Sequence, residues 1–186
     1  GASPGVLGAT VGAGLASIGV FLLALSWTGT GTKWVGPRPA GVPTTRAYLA
    51  LILPVMIAQA GDDRPGIPRG AQHAALVKVF REAAALLKDS GVIVAIEPLN
   101  DRVDHPGYYL TSTVEGLDIV DEVDRPEIRL LYDIYHSAMM GEHTEDVLDG
   151  RVDRIAHVHL ADTQGRGEPG SGTLDWAARL DWLAGQ

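Results

Sequence analysis

What most constrains this chain is one pattern met three times: a short, β-branched apolar run that ends at a side chain able to hold a cation. The runs are residues 92–99 (VIVAIEPL, with Glu97), 128–136 (IRLLYDIYH, with Asp133 and His136) and 155–160 (IAHVHL, with His157 and His159). Apolar runs of this length, closed by Pro or by a loop, read as buried strands. A carboxylate buried at the end of such a strand is costly unless it is paired or coordinated. Three successive strand ends bearing Glu, Asp and His therefore predict one shared cation, with oxygen and nitrogen ligands suited to Mn, Mg, Co or Zn. Within 155–160, strand alternation turns His157 and His159, with Ile155, to one face and Ala156, Val158 and Leu160 to the other.

Helical patterns separate these runs. Residues 70–90 carry His73, Leu76, Val77, Phe80, Ala84 and Leu87 on one stripe, and Gly91 is placed to end the helix as a left-handed cap. Ser112 and Glu115 form a capping-box signature for a helix that ends before Pro126. Residues 144–149 predict a short helix closed by Gly150, and 173–183 a last one with Trp176, Leu180 and Leu183 on one face. Apolar strands alternating with amphipathic helices predict an α/β fold with a parallel sheet, whose ligands gather at the carboxyl ends of the strands. Five strands are countable, against eight for a full (β/α) barrel.

The chain has 186 residues, 46% of them hydrophobic, enough for one packed domain. Its net charge of −8 repels a phosphate backbone, so no nucleic-acid partner is expected. It has no cysteine, which removes thiolate metal sites and disulfides and fits a cytoplasmic location. Residues 1–32 contain no charge, which raises a membrane span over 6–27 as a candidate. Recurrent glycine at Gly8, Gly12, Gly14 and Gly19 and the lack of a basic leader make it a poor one; 18–25 fits a buried strand better. GAGLAS lacks the spacing and preceding strand of a dinucleotide fingerprint. Residues 27–46 should be irregular, 48–58 a further strand, and Asp62 with Asp63 a solvated turn.

Five motifs then carry a resemblance: EPLN at 97–100, HPGYYL at 105–110, DIYH at 133–136, HVHLAD at 157–162 and GRGEPGSGTLDW at 165–176. Together, over about residues 60–183, they resemble the sugar phosphate isomerase and epimerase family of xylose isomerase-like TIM barrels, near the hydroxypyruvate isomerases and ketose 3-epimerases. Residues 1–59 match poorly and contribute an apolar, glycine-rich part with one or two strands; 60–186 are the barrel segment, about strands 2–6 of eight, within a single domain. The resemblance implies that Glu97, Asp133 and His159 are ligands of a divalent metal, that His157 is not a ligand but supports the ligands from behind or is structural, and that His136 and Arg166 hold substrate oxygens. Glu168 stands at the family's loop glutamate; Glu97 is the carboxylate expected to move the proton, and Glu168 is the nearby candidate for the second one. Gly167 stands where the family commonly has His.

The implied activity is isomerisation or epimerisation of a ketose or of hydroxypyruvate, by removal of a proton next to a carbonyl and passage through an enediolate. The family's fourth metal ligand, a glutamate on a strand near the carboxyl terminus, has no counterpart before Gln186. The expectation is therefore a piece of a longer protein or a degenerate copy: a weak metal binder, a poor catalyst by itself, and prone through unpaired strand edges to form homo-oligomers. Alternative readings are a non-catalytic binding domain of the same fold and, less favoured by the acidic charge, a phosphodiesterase of the apurinic-endonuclease type.

Overall fold

The computed structural model describes residues 55–186, of which Val55–Lys88 and Val92–Gln186 pack as one compact unit. The strand expected at 18–25, residues 48–54 of the next and the membrane-span candidate at 6–27 lie outside the described residues. Among those described, no helix is long and apolar enough to cross a membrane.

Four strands, β1 (Val55–Ala58), β2 (Ile93–Ile96), β3 (Ile128–Asp133) and β4 (Ile155–His159), form one sheet in chain order with every pairing parallel. Parallel neighbours need a crossover, and helices supply it: α1 (Arg69–Leu87), α2 (Thr113–Val123), and the short α3 (Ile134–Met140) and α4 (Thr144–Leu148), with α5 (Trp176–Ala184) after β4. This is an arc of a (β/α) barrel.

One sheet face carries Val94, Ile96, Ile128, Leu130 and Tyr132 and lies under the helices. All five are buried, and α2 approaches so closely that a Cβ on Gly116 would stand 2.7 Å from Leu130 Cδ1 and 3.0 Å from Pro98 Cγ. On α1 the buried stripe is Val77, Phe80, Ala84 and Leu87, at helical spacing. His73 pins α1 to α2, with Nδ1 3.4 Å from a Glu115 oxygen and Nε2 3.0 Å from one of Glu122. Asp62 and Asp63 are exposed; the backbone of Asp62 bridges to Tyr108, and Asp63 accepts from Gln72 at 2.9 Å.

Several sequence expectations are corrected in detail. The strand at 128–136 ends at Asp133, because that side chain caps a new helix beginning at Ile134. Helix α1 ends at Leu87, and the left-handed residues Asp89 and Gly91 (φ 61° and 75°) belong to the turn beyond it. Ser112 Oγ caps α2 at Glu115 N, but the Glu115 carboxylate turns to Tyr109, Arg69 and His73, so the box does not close; the left-handed Asp124 ends that helix. In α5 the expected apolar face is not buried. Leu180 is 45% exposed, no residue of the helix is buried, and Arg179 reaches back to Thr144.

The most consequential correction lies in β4. Leu130 pairs with Ile155, but Leu131 pairs with His157 and Asp133 with His159, so Ala156 is an extra residue, a β-bulge. A regular ladder from Leu130–Ile155 would bring Val158 opposite Asp133 and send both histidines to the helix-covered face. The bulge reverses that parity. His157 and His159 thus share the face of Leu131 and Asp133, while Ile155 goes with Leu130.

Candidate active site

Register places the functional side chains. Ala95 pairs with Arg129, so Glu97, two residues beyond Ala95, lies on the face of Leu131 and Asp133, and the bulge adds His159 to it. Glu97 follows the end of β2, where its N–H still donates to Ala58 O at 3.1 Å. Asp133 and His159 are the last residues of β3 and β4. All three stand at the carboxyl end of the sheet.

Glu97 is 5% exposed and Asp133 3%. His159 Nδ1 lies 3.1 Å from Glu97 Oε1 and 3.7 Å from Asp133 Oδ2. Burial pushes the Glu97 carboxyl above its ordinary range and the negative Asp133 adds to this, while the hydrogen bond to His159 and the charge of Arg166 work the other way. Asp133 divides its two oxygens. Oδ1 accepts from Tyr135 N (2.8 Å) and His136 N (3.1 Å), capping α3, and Oδ2 faces the cluster.

His136, on the first turn of α3, is 1% exposed. Its Nδ1 meets Asn100 N at 3.2 Å and Asn100 Nδ2 at 2.7 Å; its Nε2 lies 3.8 Å from Asp133 Oδ2 and 3.1 Å from Arg166 Nη2. Burial lowers its pKa to about 4, outweighing the nearby Asp133, so the ring is neutral at pH 7. Glu97, Asp133 and His136 each offer a ligand atom within 4.8 Å of the others. Two buried carboxylates with the His159 ring nitrogen facing both form a donor set that fits one divalent cation.

Arg166 arrives from the loop after β4. Its Nη2 is 3.4 Å from Asp133 Oδ2 and its guanidinium lies 5.2 Å from the centre of the Tyr135 ring, yet its side chain is 44% exposed. The loop holds it through an unfavourable backbone: Gly165 and Arg166 both have positive φ (64° and 56°), a conformation that costs a non-glycine residue about 1–3 kcal/mol. Asp162 anchors that loop from beneath, accepting from Thr163 N (2.7 Å), Gly170 N (2.9 Å) and Trp176 Nε1 (2.7 Å). Gly172 passes so close that a Cβ on it would fall 2.6 Å from Asp162 Cγ.

Of the residues expected from the sequence, Glu97, Asp133, His136, His159 and Arg166 come together. Glu168 does not join them: it is exposed on the loop, where its carbonyl accepts from Ser171. His157 is exposed, its ring centre 5.1 Å from that of His159.

Residues 49–185 match the profile of the xylose isomerase-like TIM barrel. The chain belongs to that family. Among curated members it is similar to the hydroxypyruvate isomerase of Escherichia coli (strain K12), 36% identical over 104 residues, which are 56% of this chain and 40% of that one. It is also similar to the D-psicose 3-epimerase of Enterocloster bolteae, 31% identical over 105 residues, 56% of this chain and 34% of the relative. Among solved structures of the fold, that of an AP endonuclease, family 2, from Brucella melitensis superposes with a TM-score of 0.67 at 30% identity, covering 74% of this chain and 52% of the other. The chain thus spans about half the length, or less, of the family members it matches.

Sequence reasoning assigned no role to Asn100 or Asp162, although both lie in quoted motifs. A side-chain amide three residues past a strand-end carboxylate was the available signal for Asn100. For Asp162 it was a carboxylate opening a loop with five glycine and proline residues (165, 167, 169, 170 and 172), which needs an internal acceptor for its backbone N–H groups.

Proposed function

We propose that this site binds one divalent cation, Mn, Mg, Co or Zn, through Glu97, Asp133 and His159, and serves the isomerisation or epimerisation of a small α-hydroxy carbonyl compound, hydroxypyruvate or a ketose. The observation that carries the reading is the meeting of two buried carboxylates with the His159 ring at one end of a parallel sheet, with Arg166 and His136 beside them. When bound, the cation would act as a Lewis acid that makes a proton next to the carbonyl easier to remove.

The chain's own residues would do the rest. Arg166 and His136 hold substrate oxygens and orient the carbon chain. Glu97, whose burial raises its proton affinity, takes the proton from the carbon beside the carbonyl, leaving an enediolate; such general-base action contributes about 10²- to 10⁴-fold. Return of the proton to the neighbouring carbon gives isomerisation and return to the opposite face gives epimerisation. Glu168 serves as the second carboxylate only if its loop brings it inward.

The names of the two curated relatives support the isomerase and epimerase class. The name of the Brucella structure supports a phosphodiesterase as the second reading, which the net charge of −8 disfavours for a nucleic-acid substrate. The deciding experiment offers Mn²⁺ with hydroxypyruvate, with ketoses and with an abasic-site duplex to the chain and to Glu97→Gln. Turnover of a carbonyl substrate that is lost in the variant supports the proposal; cleavage of the duplex alone refutes it.

A further inference from the structure

We propose that Asn100 is a positioning residue that fixes His136 as the neutral tautomer with its proton on Nε2, so that His136 offers the site a hydrogen-bond donor and is not a ligand of the cation. The inference rests on the function proposed above for what surrounds His136, but its evidence is separate.

The orientation of the Asn100 amide is set by two backbone donors. Its Oδ1 accepts from Val103 N at 3.0 Å and Asp104 N at 3.1 Å, which leaves Nδ2 to face Asp104 Oδ2 and His136 Nδ1, each at 2.7 Å. The Asn100 backbone N–H points at the same ring nitrogen from 3.2 Å. Asn100 is 0% exposed, so no solvent exchange relieves the arrangement. A backbone N–H cannot become an acceptor, and the carbonyl end of the amide is already engaged. Two donors therefore converge on Nδ1, which must present its lone pair. An imidazolium would carry a proton there and is excluded by the same contacts. The remaining proton sits on Nε2, because the hydrogen bond made by one imidazole nitrogen decides what the other can do.

That assignment separates two ligand sets that distance alone does not. The cluster of Glu97, Asp133 and His136 is compact enough for a cation, yet Nε2–H has no free lone pair to give one. His159, whose Nδ1 faces both carboxylates, has no comparable pair of donors against it among the described residues. The competing contact at Nε2 is the weaker constraint. Arg166 Nη2, a donor only, lies 3.1 Å away and in that pose calls for a lone pair on Nε2. Its side chain, however, is 44% exposed and can turn its N–H to Asp133 Oδ2, 3.4 Å away, whereas the Asn100 donors on Nδ1 are buried. Nε2 looks toward the same oxygen at 3.8 Å. Two adjacent N–H groups with one shared acceptor form a cradle for oxygen. Once Asp133 is committed elsewhere, the fitting occupant is a carbonyl or hydroxyl oxygen of an α-hydroxy carbonyl compound.

The test is a long-range ¹H–¹⁵N correlation spectrum of the full chain, labelled at its six histidines and free of metal at neutral pH, with His136 assigned from His136→Gln. A pyrrole-type Nε2 and a pyridine-type Nδ1 are expected. A proton on Nδ1, or an imidazolium, overturns the proposal. In Asn100→Asp, which replaces the side-chain donor by an acceptor of the same shape, the pyrrole-type signal should move toward Nδ1; an unchanged tautomer overturns the role of the side chain. If that variant does not fold, the wild-type spectrum still decides the tautomer. Titration with Zn²⁺ should shift His159 while His136 keeps its Nε2 proton, and loss of that proton overturns the proposal. If no histidine responds to Zn²⁺, the metal reading fails while the tautomer assignment stands, so the two failures are distinguishable.

Discussion

The two middle strands and the fourth strand with its loop contribute to one site under opposite conditions. Strands β2 and β3 each have neighbours on both sides; they deliver Glu97 and Asp133 almost fully buried, and Asp133 is further held by capping α3. Strand β4 ends the sheet among the described residues. It delivers a half-exposed His159 through a bulge, and the loop beyond it delivers an exposed Arg166 on a strained backbone. The first region obtains its geometry from packing, the second from particular local devices: one extra residue, two left-handed residues and one anchoring carboxylate. Damage to the middle strands should therefore spread through the unit, whereas damage to the fourth should remain local and cost function before stability.

The largest effect is expected from Asp133→Ala, which removes a cluster oxygen and a helix cap together. Mn²⁺ affinity should fall by more than about 100-fold, and unfolding in urea should show a loss of at least about 0.5–2 kcal/mol for the cap alone. Retained Mn²⁺ binding would remove Asp133 from the proposed ligand set. His159→Ala comes next, since it removes the ring that the bulge turns toward Asp133 while leaving the middle strands untouched. Mn²⁺ titration should show a loss of at least about 10-fold, with little change in Tm; unchanged affinity would remove His159 from the proposed ligand set.

Gly116→Ala and Gly172→Ala place the same methyl group in the two regions. At Gly116 it meets Leu130 and Pro98 in the packed layer, so a global loss of about 1–3 kcal/mol is expected by denaturant unfolding. At Gly172 it meets Asp162, and faster proteolysis within residues 160–175 is expected with Tm nearly unchanged. Equal falls in Tm would erase the contrast.

A smaller effect concerns pH. Burial works against ionisation of Asp162, but hydrogen bonds from Trp176 and from Thr163, Gly172 and Gly170 outweigh it and hold its pKa well below the usual carboxylate range. A lowered folded-state pKa means that its contribution is complete above the unfolded value, about 3.9, and is lost as pH falls through the folded one. Hydrogen exchange should show the Thr163 and Gly170 amides protected at about pH 4 and released only at lower pH; release near pH 5 would contradict this. The least effect, within about 0.5 kcal/mol, is expected for Leu180→Ser, because that side chain is largely exposed already.

The same division explains what could be read from the sequence. Residues 92–99 and 128–133 announce themselves as strands because burial on both faces leaves a mostly apolar run, interrupted in the second only by Arg129 near its start, and the carboxylate toward the end of each run stands out against it. The grouping of Glu97, Asp133 and His159 follows from three such ends. What escaped was encoded by single contacts. Ile134 and Tyr135 look like strand residues, and only the hydrogen bonds of Asp133 reveal a helix start. The bulge has no signature in IAHVH, since register belongs to a pair of strands. Leu180 has helical spacing from Trp176, but spacing cannot tell whether anything packs against it. Asn100 is an ordinary polar residue until the backbone of Val103 and Asp104 orients it.

The divided carboxylate of Asp133 joins scaffold and chemistry in one group. Whatever draws on Oδ2 also drains charge from Oδ1, and with it the grip on the first amides of α3. Occupancy of the site should thus be audible in the scaffold, as a change in the exchange rate of the Tyr135 and His136 amide protons, and a substitution tuning this carboxylate for one duty retunes the other.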